Sequence, residues 1–263
     1  MQTKGCGPEL FAEAMNTLEI LRLQDASFTK KQAKLFFKRM HEETCLKELY
    51  MQKSKYNPSL VDSKDFVGGL SKIQKLGLSW CHRHEDTWPD HIEELLKIVS
   101  KQGEGSVVTE IDFNRMSFSY FPADLLAATV NKVERTILWG CHLEARQMFE
   151  IFAAAASGSS SKYLDFRVNE GETIENREFW EDYAKTLAKG AKNFEHLKVT
   201  NLCRCRIESI LDEVSLDTKL KILEVDGQNE FTSDDIRTKQ EVVQVKITND
   251  ANEPIRNMMT FWA

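Results

Sequence analysis

In the stretch LKELYMQKS, Leu46, Leu49 and Met51 stand at intervals of three and two residues, and this frame returns along the whole chain. It recurs as Leu18, Leu21, Leu23; Ile73, Leu76, Leu78; Val108, Ile111, Phe113; Val133, Thr136, Leu138; Ser161, Leu164, Phe166; Phe194, Leu197, Val199; Leu220, Leu223, Val225; and Val242, Val245, Ile247. Of the 27 slots in these nine frames, Thr136 and Ser161 alone are not apolar, whereas 41% hydrophobic composition would fill about 11 by chance. The first eight frames begin at 18, 46, 73, 108, 133, 161, 194 and 220, a mean spacing of about 29 residues. Self-similarity at such a period constrains the fold more than any local propensity, because each unit must bury its apolar face against the next.

Each frame reads as a short strand, and between frames the apolar period becomes helical. PDHIEELLKIVSKQ has Pro89 near a helix start and apolar residues at Ile92, Leu95, Leu96 and Val99. PADLLAATVNK, EARQMFEIFAAAAS, NREFWEDYAKTLAKGAK and RIESILDEV behave likewise. Thr29 followed by Gln32 predicts a capping box at another helix start. The expected unit is therefore a strand followed by a helix.

Over residues 8–250 this pattern resembles the leucine-rich repeat family, with the frame L-x-x-L-x-L-x-x-N/C. Cys81, Cys141 and Asn169 fit its last slot, while Ala26, Ser54, Met116, Leu202, Gln228 and Asp250 depart from it. The long, helix-rich units resemble the ribonuclease-inhibitor-like subclass found in intracellular receptors that carry a nucleotide-binding domain. The resemblance implies an α/β fold: a leucine-rich-repeat solenoid, or horseshoe, with a parallel β-sheet on the concave face and helices on the convex face. It implies one domain over residues 1–263, of about nine strand-helix units. GPELFAEAMNT, with Leu10, Phe11, Ala14 and Met15 on one helical face, lacks a strand frame before it. Residues 8–17 are therefore expected to be either a partial repeat, the chain then being the C-terminal part of a larger intracellular receptor of innate-immune type, or an N-terminal cap. Residues 251–263 are expected to be a C-terminal cap or tail.

Composition excludes several classes. No apolar run approaches the ~18 residues of a membrane-spanning helix, and the start lacks the pattern of a secretory signal. Six scattered cysteines in 263 residues make no disulfide scaffold, so a reducing, cytoplasmic location is expected. A net charge of −6 opposes a dedicated nucleic-acid binder. The stretch SWCHRHEDTWPDH gathers Cys81, His82, His84, Glu85, Asp86 and His91. Cys81, His82 and His84 stand too close in sequence for a zinc spacing, and a buried Cys81 with no oxyanion hole makes a poor nucleophile. A solvated loop is expected there. Cys203 and Cys205 follow the seventh frame and could bind metal or oxidise, but no second cluster joins them, and packing is expected. Glycine-containing stretches such as KQGEGS lack a phosphate-loop pattern. No cofactor or metal is expected.

Slots that alternate with the leucines face the concavity and carry ten acidic and ten basic residues, a mixed surface suited to a protein partner rather than a polyanion. The expected binding face comprises Tyr50, Trp80, Asp112, Arg115, Ile137, Trp139, Tyr163 and Asp165, since aromatics on a rigid scaffold make binding hot spots. One or two of these aromatics could instead lean onto neighbouring strands. The resemblance implies a non-enzymatic recognition module, ligand-sensing or scaffolding; the alternatives are a GTPase-activating protein of the leucine-rich repeat type, or the substrate-recruiting part of a ubiquitin-ligase adaptor. Elemental mass spectrometry of purified protein should find well under one zinc per chain, with the melting curve unmoved by chelator. Near-stoichiometric zinc lost on mutating His82 and His84 would overturn the solvated-loop reading.

Overall fold

The computed structural model describes residues 16–53, 61–79, 88–101, 106–119, 121–167, 177–215, 217–226 and 243–248. Nine strands run β1 (Ile20–Gln24), β2 (Glu48–Gln52), β3 (Lys75–Gly77), β4 (Glu110–Asp112), β5 (Arg135–Leu138), β6 (Tyr163–Arg167), β7 (His196–Thr200), β8 (Ile222–Asp226) and β9 (Gln244–Thr248). Seven helices alternate with them among the described residues: α1 (Lys30–Glu42), α2 (Ser63–Leu70), α3 (Trp88–Ser100), α4 (Ala123–Lys132), α5 (Ala145–Ser157), α6 (Arg177–Ala191) and α7 (Arg204–Asp212). The strands form one all-parallel sheet whose spatial order is the chain order, so every unit lies beside its sequence neighbours. Residues 8–15 of the partial repeat or cap expected at 8–17, and all of the tail expected at 251–263, lie outside the described residues. No described helix is long and apolar enough to cross a membrane.

Pairing reproduces the sequence frame residue for residue. Leu21, Leu49, Leu76, Ile111, Thr136, Leu164, Leu197, Leu223 and Val245 are successive partners across the sheet. From Leu49 to Leu223 this row is buried; at the two edges of the sheet, which have a strand on one flank only among the described residues, Leu21 and Val245 are only partly so. A one-residue slip would turn each apolar set to the opposite face, so burial enforces the register. The strand slots and the inner faces of the helices share one hydrophobic cluster; Phe152 of α5, for example, meets Phe166 of β6 at 5.5 Å between ring centroids. The two non-apolar slots are also buried. Thr136 occupies its slot as a β-branched side chain whose Oγ1 has no hydrogen-bond partner among the described residues.

Local chemistry sets where each unit starts and stops. Thr29 and Gln32 form the expected capping box of α1: Gln32 N donates to Thr29 Oγ1 at 3.3 Å, and Thr29 N donates to Gln32 Oε1 at 2.9 Å. Four positions beyond the middle slot the chain leaves the sheet through a left-handed residue: Asp25, Lys53, Arg115, Gly140 and Asn201 all have positive φ. Gly, Asn and Asp tolerate that region, whereas Lys53 and Arg115 adopt it at a steric cost. Cys141 shows what the last slot of the frame does. It is buried, and its thiol donates to the Phe113 carbonyl of the preceding unit at 2.9 Å. On the helical side, α6 meets α5 so closely that a Cβ on Gly190 would stand 2.3 Å from the Phe152 carbonyl oxygen.

Frame position and burial part company at the first unit, where Leu18 remains 39% exposed. Leu76→Ala should cost about 2–5 kcal/mol in denaturant titration, as buried leucines do. Leu18→Ala, although it alters the same repeat frame, should stay within about 0.5 kcal/mol. Equal midpoints for the two variants would contradict the assigned burial.

Candidate recognition surface

The sheet face opposite the helices is built from three rows of outward side chains. In-register parallel pairing stacks equivalent slots about 4.8 Å apart, so residues about 29 positions apart in sequence become cross-strand neighbours. The row preceding the middle slot reads Glu48, Lys75, Glu110, Arg135, Tyr163, His196 from β2 to β7. Alternation of sign along it makes a ladder. Lys75 Nζ lies 2.9 Å from Glu48 Oε1, Arg135 Nε 3.6 Å from Glu110 Oε1, and the Arg135 guanidinium 3.7 Å from the centre of the Tyr163 ring. Tyr163 in turn meets the His196 ring edge-on at 4.7 Å, and His196 Nε2 stands 3.0 Å from Glu224 Oε1 on β8. Nearer the strand starts, Lys47 pairs with Glu19, Lys162 with Glu134 and Lys221 with Glu195 at 2.9–3.2 Å. Most of the mixed charge is therefore neutralised within the sheet.

Of the expected binding residues, Asp112, Arg115, Ile137, Trp139, Tyr163 and Asp165 do come together, over β4–β6. Tyr50 is set apart on β2, and Trp80 lies outside the described residues, as do Cys81, His82, His84, Glu85 and Asp86. His91, in the first turn of α3, is half-buried edge-on against Phe66 at 5.5 Å. Among the described residues no three His, Cys, Asp or Glu side chains converge as metal ligands would.

Two expectations about this cluster need correction. Asp112 and Asp165 occupy outward slots but are only 4% and 7% exposed. Asp112 is engaged internally: its Oδ1 accepts from Ser79 Oγ at 3.0 Å and from the Asn114 amide at 2.9 Å, tying the end of β3 to the turn after β4. Burial raises its pKa. Asp165 is less well served. Its Oδ1 has no hydrogen-bond partner among the described residues, and Oδ2 lies 4.0 Å from Lys198 Nζ. Burial pushes this carboxyl from 3.8 up to about 6, against the pull of Lys198 and Arg135 and with the push of Asp112 and Glu224.

The aromatics divide. Tyr50 leans sideways over β3, its Cδ1 only 2.6 Å from where a Gly77 Cβ would be, with the Arg22 guanidinium 5.0 Å above the ring. Gly77 is thus the residue whose lack of a side chain admits the ring. Burial, together with Glu110 and Glu48, pushes the Tyr50 hydroxyl up to about 12, so it is a neutral packing group at neutral pH. Trp139, just beyond β5, is half-exposed between two cations: the Arg115 guanidinium from the β4 side at 4.9 Å and that of Arg167 from the β6 side at 6.0 Å. Cation–π contacts at these distances attract both side chains toward the faces of the indole. His196 belongs to the same surface and is absent from the sequence-derived site; aligning the slot before the middle leucine across all nine frames is the signal that exposes it.

Sequence comparison finds no matching family model and no matching curated protein.

A carboxyl whose pKa is raised in the folded chain binds its proton more tightly there than in the unfolded chain. Asp165 therefore stabilises the fold fully below about pH 4, and that contribution is lost as pH rises through about 6. Asp165→Asn should flatten the decline in stability between these limits and raise stability at pH 7.5 by about 3 kcal/mol. Parallel stability–pH curves for variant and wild type would show that the carboxyl is solvated.

Proposed function

We propose that the chain is a non-enzymatic protein-recognition module of the leucine-rich repeat type, its sheet lining the concave face of a horseshoe and its helices the convex one. Agreement of nine sequence frames with nine strand registers supports the family reading. The self-pairing of charged rows supports the functional one. A surface that neutralises itself offers no continuous field to a polyanion, and it rejects partners whose charges do not match the ladder. The observation that carries the reading is Trp139 held half-exposed between Arg115 and Arg167. An indole flanked by two guanidiniums at cation–π distance brings apolar area and positive charge together, and Trp and Arg are the residue types enriched at interface hot spots. Ile137 and Tyr163 extend the apolar area beside it, while Asp112 and Asp165 support the cluster from beneath.

Trp139→Ala should weaken binding of the cognate protein by about 2 kcal/mol or more without changing the melting temperature appreciably. Glu94→Ala, on an exposed position of α3, should leave affinity unchanged. The measurement is a pull-down with wild type and both variants, followed by calorimetric titration of the captured partner. Full affinity in Trp139→Ala with loss in Glu94→Ala would place recognition on the helices.

A further inference from the structure

Cys203 and Cys205 were expected to be packing residues; the structure leaves Cys203 half-buried and Cys205 exposed. β7 ends at Thr200, Asn201 turns through positive φ, and Leu202 drops into the core. Cys203 then caps α7 with extended backbone, φ −64 and ψ 152. Arg204, the only residue between the cysteines, is already helical, which holds the two flanking Cα atoms about 5.4 Å apart by helix geometry. That separation falls within the range a disulfide bridges. Their Sγ atoms stand 2.8 Å apart. The other described cysteines lack such a neighbour: Cys45 is exposed by itself, and the buried Cys141 thiol is given to the Phe113 carbonyl.

We propose that Cys203 and Cys205 are a dithiol–disulfide couple, oxidised by exchange with a small-molecule disulfide. The exposed Cys205 thiolate attacks one sulfur of the oxidant, expelling its other half as a thiolate. The Cys203 thiolate then attacks the Cys205 sulfur, closing the internal bond and expelling the second half. The protein loses two electrons and two protons, and the oxidant becomes two thiols. Burial, then the hydrogen bond that the Cys203 thiol makes to Cys205, raises the Cys203 thiol, and the exposed Cys205 is the entering nucleophile. The helix that carries the pair is held in place. Leu202 and Ile207 anchor it in the core on either side, and the Arg206 guanidinium lies 5.0 Å over the Tyr183 ring of α6. A ring closed across one residue at an exposed position is strained and readily reduced, which suits a reversible modification rather than a permanent staple.

The test uses the full chain, reduced and then equilibrated with glutathione disulfide and glutathione at graded ratios. Acid quenching, maleimide labelling and cleavage after lysine give a peptide over residues 199–219 that holds no other cysteine. With rising glutathione disulfide this peptide should accumulate as a species two hydrogens lighter, carrying neither maleimide nor glutathione. Cys205→Ser should abolish that species, and Cys203→Ser should raise the glutathione adduct on Cys205 several-fold above wild type. Cys45 should form the adduct alone. A wild-type peptide that carries only maleimide or glutathione at every ratio would overturn the proposal, whether or not the serine variants fold.

Discussion

The stacking of each frame on the next in a single register is the constraint on which everything else in this protein depends. A three- to five-residue strand cannot bury its leucine slots by itself, nor can it satisfy its own backbone donors and acceptors. Pairing Leu49 with Leu76, Leu76 with Ile111, and so on to Leu223 meets both needs with one alignment. Hydrogen bonds at the strand entries keep the same order: Lys47, Gln74, Thr109, Arg135 and Lys162 each bond back to the unit before. No central element organises the core. It is a chain of nearest-neighbour interfaces, so its stability is approximately a sum over adjacent units.

The register that buries the leucines also writes the opposite face. Because slots stack vertically, charges that alternate from frame to frame become alternating rungs, and exposed pairs such as Lys221–Glu195 are individually weak but collectively oppose any slip that would bring like charges together. The same stacking sets who covers whom. Tyr50 can lie down because its neighbour in the next rung is Gly77, whereas Trp139 stands between Arg115 and Arg167 and keeps part of its ring in solvent. Aromatic residue type therefore does not distinguish an anchor from packing; the identity of the two adjacent rungs does.

Burial of Asp112 and Asp165 follows from the same rule, with different outcomes. Asp112 has Ser79 on one side and its own turn amide ahead of it, so the desolvated carboxylate is repaid by two hydrogen bonds. Asp165 faces Lys198 at 4.0 Å and keeps one buried oxygen without a hydrogen-bond partner among the described residues, which makes it the least comfortable group on the face. Both lie beside Ile137 in one row, where an apolar neighbour removes water without supplying donors.

Strand positions, their register, the strand–helix alternation and the capping box at Thr29 are legible in the sequence alone, because they rest on periodicity and on contacts within a few residues. The slots filled by Leu76, Ile111 and Leu164 announce their inward direction through spacing. What a side chain on the other face does was decided only by tertiary structure. Alternation says that Asp112, Asp165, Tyr50 and Trp139 point away from the leucines, but whether each meets water depends on residues one unit away, about 29 positions along the chain. Cys203 and Cys205 illustrate the same limit: two thiols beside a leucine frame read as filler, yet the turn at Asn201 carries them past the core to a helix start, one half-buried and one in solvent. Spacing carries direction; exposure is settled by neighbours that only the folded stack brings together.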